Sequence, residues 1–185
     1  MPDCLAQGGQ KVEVSTSAGL LRFDPGLSFS NSPFWGLGVG YDITNLFQLN
    51  LSFAFSPTQQ TFRTASSSIT TKIFVYSCYG NVRFSPPVPM VAVKPFLAIG
   101  LGGLIFDPGA TQVNLPVSPG VVETVELPTD RHLAINIRAG IRTRLRPRTW
   151  LKFEFWRSMI RIREDEKGSR GAHSDYWGLG LDFRL

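Results

Sequence analysis

The stretch FQLNLSFAF, residues 47–55, alternates large apolar side chains with small or polar ones. In an extended chain, alternate side chains share one face. The apolar face of this stretch carries Phe47, Leu49, Leu51, Phe53 and Phe55. A soluble protein buries such a face against its core, whereas a membrane barrel exposes it to lipid, so the rest of the chain must decide between the two media.

The composition of the whole chain indicates one β-rich domain. Its 185 residues suffice for a single sizeable core, and 14 Phe and 18 Gly accompany the alternating runs. The longest apolar region, residues 91–106, is interrupted by Lys94, Pro95 and glycines and is too short for a membrane helix. The net charge of +5 is spread along the chain, which favours no nucleic-acid partner and suits acidic lipid headgroups.

Reading the chain with a period of two predicts eight strands, at residues 12–23, 34–43, 47–56, 69–84, 92–106, 131–145, 150–162 and 174–185. The connectors alternate between short ones (44–46, 85–91, 146–149) and longer ones (24–33, 57–68, 107–130, 163–173). Short and long connectors therefore fall at opposite ends. This pattern predicts an all-β fold, an eight-stranded antiparallel up-and-down transmembrane β-barrel.

The first eleven residues, MPDCLAQGGQK, lack the basic start and apolar core of a secretory signal. Cys4 and Ala6 are small, lie two apart and precede glycines, as at the end of a signal-peptidase site. We therefore expect residues 1–11 to be a leader remnant and residues 12–185 to form the barrel. Cys78 falls in the middle of a predicted strand, so no disulfide with Cys4 is expected.

The sixth predicted strand, LAINIRAGIRTRL (133–145), fixes which face points outward. Arg138, Arg142 and Arg144 share one face, and an Arg on the lipid side costs about 2–4 kcal/mol at the bilayer midplane. The arginines must therefore point inward, where they need carboxylate partners. The same alternation predicts a lumen charge network of Glu13, Asp42, Arg138, Arg142, Lys152, Glu154 and Asp182. Such a network either plugs the barrel or lines a narrow gated path, and it leaves no wide pore.

Aromatic residues cluster near both ends of the predicted strands. Near the long connectors lie Phe23, Phe34, Trp35, Phe55, Phe74, Phe106 and Trp177, and near the short turns lie Tyr41, Phe47, Phe84, Trp150 and Phe183. We interpret them as the aromatic belts of two membrane interfaces. A ten-residue strand tilted by ~40° covers roughly 26 Å, close to the apolar band of such barrels. The apolar row of residues 47–55 is therefore predicted to face lipid.

The longest connector, DPGATQVNLPVSPGVVETVELPTD (107–130), has a pattern of its own. Apolar residues alternate on both sides of Ser118, Pro119 and Gly120, which favour a turn. The segment fits a hairpin that extends strands five and six beyond the membrane, and it fits a flexible loop equally well. A hairpin there would expose an edge suited to an extracellular protein partner.

Two segments resemble the small outer-membrane barrels of the OmpA-like and OmpX-like kind. YGNVRFSPPVPMVAVKPFLAIGLGG (79–103) is similar to that family's strand, periplasmic turn and strand, and the closing GLGLDFRL to its terminal signal for the barrel-assembly machinery. Gly180 and Phe183 have the expected spacing, whereas Leu185 stands where the family usually ends in Phe. The resemblance covers nearly the whole chain and implies the outer membrane of a Gram-negative bacterium.

The sequence predicts neither an enzyme nor a cofactor or metal site. Lipid A deacylases of this barrel type carry a His-x-Ser-Asn run in a late strand, and the matching strand here reads FEFWRSMI. His132 and His173 are the chain's two histidines, and they offer no ligand spacing. Basic residues near the last long connector are candidates for contact with lipopolysaccharide phosphates: Arg161, Arg163, Lys167 and Arg170.

We therefore predict an integral outer-membrane barrel with a structural or adhesin-like surface role. Two alternatives stay open: a lipid A-modifying outer-membrane enzyme, which would need a convergent catalytic triad, and a soluble lipocalin-like barrel, which would need a polar exterior.

Overall fold

The computed structural model describes residues 12–63, 68–87, 93–110, 112–118, 121–164 and 168–185. The strands are β1 (Val12–Phe23), β2 (Ser32–Asp42), β3 (Phe47–Arg63), β4 (Ser68–Phe84), β5 (Val93–Pro108), β6 (Gln112–Ser118), β7 (Val121–Glu126), β8 (Asp130–Arg146), β9 (Thr149–Glu164) and β10 (Gly168–Arg184). A single 3-10 turn spans Pro25–Leu27 in the described chain. Among these residues, no helix has the length and apolar character needed to cross a membrane.

Eight of the strands form a closed antiparallel barrel in the order β1-β10-β9-β8-β5-β4-β3-β2. Chain neighbours pair along the whole wall, except that β5 pairs with β8 across the β6–β7 excursion. The first and last strands close the barrel with eleven residue pairs, from Glu13↔Arg184 to Phe23↔Ser174. The predicted eight-stranded up-and-down barrel is confirmed.

The alternation predicted for residues 47–55 is present in β3. Phe47, Leu49, Leu51 and Phe53 are 43–51% exposed on the outside of the barrel, whereas Gln48 between them is 3% exposed and points inward. The strands β2, β5, β8 and β10 follow the same rule, with leucine, isoleucine and valine outside and glycine or polar groups inside. An apolar exterior of this kind requires lipid as its surroundings, because a continuous apolar surface of this size is unfavourable in contact with water.

Two of the predicted long connectors are largely strand. β3 runs on to Arg63 and pairs with β4 as far as Arg63↔Ser68, and β10 begins at Gly168 instead of residue 174. The predicted third strand ends at residue 56, immediately before Pro57. Pairing between β2 and β3 stops at Trp35↔Phe55, so Pro57 lies where β3 has a free edge and its missing N–H removes no wall hydrogen bond.

The aromatic belts are smaller than predicted. Trp35, Tyr41 and Trp177 are exposed on the outside. Four of the predicted belt residues instead point into the barrel and are at most 8% exposed: Phe23, Phe34, Phe106 and Trp150. The prediction was wrong for these four because position near a strand end was given more weight than the alternation of their own strands.

The predicted hairpin in residues 107–130 is present as β6 and β7. The pairing runs from Gln112↔Glu126 to Ser118↔Val121, with a register shift between Pro116 and Ser118. The two strands form a separate two-stranded sheet and do not continue the β5–β8 ladder, which ends at Phe106↔Asp130. The hairpin is therefore a distinct element at the long-connector end, which is the extracellular end by the loop asymmetry of such barrels.

Candidate functional site

The periplasmic half of the lumen holds a network of buried charges centred on Glu13. Its carboxylate, 1% exposed, lies 2.7 Å from Arg83 Nη2 and 2.9 Å from Arg142 Nη1. Arg184 Nε approaches the same carboxylate to 3.7 Å. Glu13 is placed there because β1 sends odd-numbered residues inward at this end, and the stagger of the barrel brings β4 and β8 to the same height.

A second group of charges completes the network. Lys152 Nζ lies 3.2 Å from Glu154 Oε1 and 3.3 Å from Asp182 Oδ1, while Arg138 Nη1 lies 3.6 Å from Glu154 Oε2. Of the seven predicted lumen residues, six are buried, and the seventh, Asp42, is half-buried at the periplasmic mouth. Opposite charges at these distances compensate for the loss of hydration that burial imposes on each group.

Aromatic rings cover the cations of the network. The guanidinium carbon of Arg138 lies 4.3 Å from the centroid of the Trp156 ring, and that of Arg142 lies 5.3 Å from the ring of Trp150. Such contacts are attractive because the face of an aromatic ring carries negative charge. Glycine allows close packing here, since a Cβ added at Gly180 would clash with the Thr16 carbonyl oxygen and would lie 3.1 Å from Lys152 Cε.

Neutral hydrogen bonds connect the strands at the middle of the lumen. The Tyr79 hydroxyl donates to Ser158 Oγ at 2.8 Å, and Asn136 Nδ2 donates to the same oxygen at 3.3 Å. Arg138 Nη2 donates to Ser52 Oγ at 3.0 Å and so connects this layer to the charges below it. The bonds from Tyr79 to Ser158 and from Arg138 to Ser52 cross the lumen between strands that are not neighbours in the wall, and they leave little room for a channel.

The extracellular half of the lumen is mainly apolar. Rings and aliphatic side chains from all parts of the wall meet there: Leu21, Phe23, Phe34, Ile73, Val75, Leu104, Phe106, Ala134, Ile160, Ala172 and Tyr176. Phe34 packs edge-on against Trp156 and Tyr176, with ring centroids 4.9 and 5.4 Å apart.

A small cavity bordered by Arg138 and Lys152 measures about 10 Å³, roughly the least that holds one water molecule.

The connector between β1 and β2 folds over the extracellular mouth. Ser30 N donates to Gln59 O at 2.8 Å and Thr61 N donates to Ser28 O at 3.1 Å, so the connector lies along the free edge of β3. Phe29 stacks on Phe106 with ring centroids 5.2 Å apart. Above these rings a cavity of about 440 Å³ opens outward.

Three cations near the periplasmic mouth were missed by the sequence analysis: Arg83, Lys94 and Arg184. Arg83 lies on the same face of β4 as the buried Tyr79 and Asn81, because it is four and two residues from them. Arg184 likewise follows Asp182 by two residues in β10. The alternation that identified the other seven lumen residues would therefore have found these as well.

The predicted lipopolysaccharide contacts can be placed only in part. Arg161 is exposed on the outside of β9. Lys167 lies outside the described residues, and the side chains of Arg163 and Arg170 are not described. Nearby on the outer wall, Arg157 donates to both carboxylate oxygens of Asp175, at 2.7 and 2.8 Å. This pair was not predicted.

The two histidines do not converge on a common centre. His132 borders the extracellular cavity, with its ring centroid 5.7 Å from that of Phe106. His173 alternates with the buried Ala172 and Ser174 and so points away from the lumen, where its Nδ1 lies 3.3 Å from Asp24 Oδ2. Within the described part of the chain, no group of three or more His, Cys, Asp or Glu side chains could hold a metal ion.

A closed barrel of eight antiparallel strands with an apolar exterior is the architecture of an integral outer-membrane protein. The chain belongs to the outer membrane protein beta-barrel domain family, whose model matches residues 5–184. It is therefore a protein of the outer membrane of Gram-negative bacteria. The soluble lipocalin-like alternative is thereby excluded.

Solved structures of other outer-membrane barrels are similar in fold. Neisserial surface protein A is 14% identical with a TM-score of 0.67, covering 95% of this chain and 97% of its own. OprG from Pseudomonas aeruginosa is 12% identical with a TM-score of 0.62, covering 97% and 98%. The N-terminal barrel of OprF from the same organism is 18% identical with a TM-score of 0.52, covering 96% and 99%. No curated protein matches the chain in sequence.

Proposed function

We propose that this protein is a non-conducting, non-enzymatic outer-membrane barrel that presents the β6–β7 hairpin to another protein at the cell surface. The observation that carries the proposal is the independence of the hairpin from the wall. β6 and β7 pair only with each other, while the β5–β8 ladder beneath them reaches Phe106 and Asp130. A free strand edge outside the membrane suits β-augmentation by an extended segment of a partner.

The filled lumen supports the absence of conduction. Ions would have to pass an apolar layer at the extracellular end and then a layer of paired charges at the periplasmic end. Each layer opposes a hydrated ion for its own reason. The first is lined mainly by apolar side chains, and the second by charged groups most of which already have partners.

The outer wall supports two further parts of the proposal. Arg161 is exposed near the extracellular end of β9, and Arg163, Lys167 and Arg170 follow it in sequence, so this region is suited to lipopolysaccharide phosphates. The last strand, β10, pairs with both β1 and β9, which suits its predicted recognition by the barrel-assembly machinery as the closing strand.

The surface role can be tested by replacing residues 111–127 with a short Gly-Ser linker. We expect the variant to reach the outer membrane and to retain the anomalous gel mobility of a folded barrel without boiling. Bacteria displaying it should lose attachment to an epithelial cell monolayer. A matched control replaces residues 64–67, between β3 and β4, with the same kind of linker and should leave attachment unchanged.

Equal attachment by the two linker variants, or failure of the 111–127 variant to fold, would contradict the proposal for the hairpin. The absence of conduction is tested separately in planar bilayers with the wild-type barrel. Stable open-channel current there would contradict the plugged lumen.

A further inference from the structure

The periplasmic mouth of the barrel contains a cavity that the surface role does not use. It measures about 310 Å³ and lies between the turn at residues 43–46, the start of the next turn at residues 85–87 and the floor of the lumen. Four basic side chains line it, namely Arg83, Lys94, Arg142 and Arg184, and Asp42 is its one carboxylate among the described residues.

The charges around this cavity do not balance. The lining of the cavity and the network together contain six cations, which are the four of the cavity with Arg138 and Lys152. They contain four carboxylates: Glu13, Asp42, Glu154 and Asp182. The difference, six minus four, is two positive charges. Glu154 pairs with Arg138 and Lys152 deeper in the lumen, and Asp182 lies closer to Lys152, at 3.3 Å, than to Arg83 and Arg142, at 3.8 and 4.0 Å, so the excess is greatest on the cavity side.

Lys94 is the clearest unmatched cation. Among the described residues, no carboxylate lies within ion-pair distance of its Nζ, which instead lies 5.2 Å from the centroid of the Trp150 ring. Arg83, Arg142 and Arg184 share the single carboxylate of Glu13, and the Nε atoms of Arg83 and Arg142 have no hydrogen-bond acceptor in the described part of the chain. The connecting residues 88–92, VPMVA, carry no charge that could supply the balance.

We propose that this cavity binds a small oxyanion, a phosphate or carboxylate group reached from the periplasm. Positive charges that are partly buried repel one another more strongly than they would in water, so an anion among them is favoured. Guanidinium groups match phosphate and carboxylate oxygens in geometry, and Lys94 adds a mobile point charge at the rim. Thr44, Gln48 and Ser85 supply neutral polar groups around the same space.

The site lies at the opposite end of the barrel from the β6–β7 hairpin, so its test is independent of the surface role. The purified full chain, folded in zwitterionic detergent, is titrated with inorganic phosphate, succinate or glycerol phosphate at constant ionic strength. Binding is measured by calorimetry and by the rise in thermal unfolding temperature.

We expect saturable binding to the wild type and a loss of affinity of roughly tenfold or more in Lys94→Gln, the change produced by one charge-assisted contact. Lys94→Arg should retain binding. The matched control is Lys72→Gln, which removes the same charge from an exposed position in β4 near the extracellular end and should bind as the wild type does.

Tighter binding of glycerol phosphate than of inorganic phosphate would support the site and identify a lipid headgroup as the natural source, whereas the reverse order would support a free anion. Equal affinities in Lys94→Gln and Lys72→Gln would overturn the proposal, as would the absence of saturable binding to the wild type.

Discussion

Glu13 is the residue on which the lumen depends most, and Glu13→Gln should be strongly destabilising. The substitution keeps the size and shape of the side chain and removes its charge. Two short charge-assisted hydrogen bonds are affected, to Arg83 at 2.7 Å and to Arg142 at 2.9 Å. At about 1.5–3 kcal/mol for each such bond, the loss amounts to roughly 3–6 kcal/mol.

An independent argument gives a similar magnitude for Glu13→Gln. Removing one partner of a buried ion pair typically costs about 3–5 kcal/mol, because the other charge stays buried without compensation. Here the excess of positive charge in the lumen and its periplasmic mouth would rise by one unit. Glutamine can accept a hydrogen bond from one arginine through its Oε1, so the lower part of the range is expected.

The assay is reversible urea unfolding of the barrel in lipid vesicles, followed by tryptophan fluorescence. Two of the chain's four tryptophans, Trp150 and Trp156, are buried in the lumen and report its unfolding. Glu126→Gln removes the same charge from an exposed position in β7 and serves as the control. If the free energies of unfolding of the two variants differ by less than about 0.5 kcal/mol, the inward network does not stabilise the fold as argued.

Two further substitutions test the wall. Gly178→Ala should cost about 1–3 kcal/mol in the same unfolding assay, since its Cβ would lie 2.8 Å from Phe34 Cζ, whereas Gly171→Ala, with no atom within 4 Å of its Cβ, should be nearly neutral. A cost for Gly178→Ala no larger than that control would contradict the packing. Deletion of residues 183–185 removes the bonds from Leu185 N to Val12 O and from Arg184 N to Arg148 O, and should leave unfolded periplasmic protein. A normal yield of heat-modifiable protein in the membrane would refute this.

The sequence was sufficient to predict which side chains of the barrel wall point outward, because alternation with a period of two is a local property. FQLNLSFAF assigns its own faces without knowledge of any other strand, and the arginines of β8 decide which face is outside. The four misplaced aromatic residues show the limit of a positional rule. Phe23 lies on the same face of β1 as Ser15 and Leu21, so the alternation of its own strand already indicated that it points into the lumen.

The partners within the lumen could not be predicted from the sequence. Glu13 meets Arg83, which is 70 residues away, and Arg142, which is 129 residues away. The alternation along each strand indicates that all three point inward. Their relative positions along the barrel axis depend on the stagger between strands, which is fixed only when the barrel closes. The sequence therefore predicted seven members of the network, did not include Arg83, Lys94 and Arg184, and left the pairing undetermined.

The closed wall and the filled lumen together restrict where this protein can recognise anything. The outside of the wall offers lipid a nearly uniform apolar surface, interrupted among the described side chains by pairs such as Arg157 and Asp175. Inside, the charged side chains pair mainly with each other and the apolar side chains pack against each other. Specific recognition is thus left to the two ends, where the wall no longer needs the residues for its own stability. At one end the β6–β7 hairpin has a pairing of its own, and at the other Lys94 has a charge without a carboxylate partner in the described chain. Changes in the hairpin or at Lys94 should therefore alter binding with little effect on the free energy of unfolding, whereas Glu13→Gln should lower that free energy strongly.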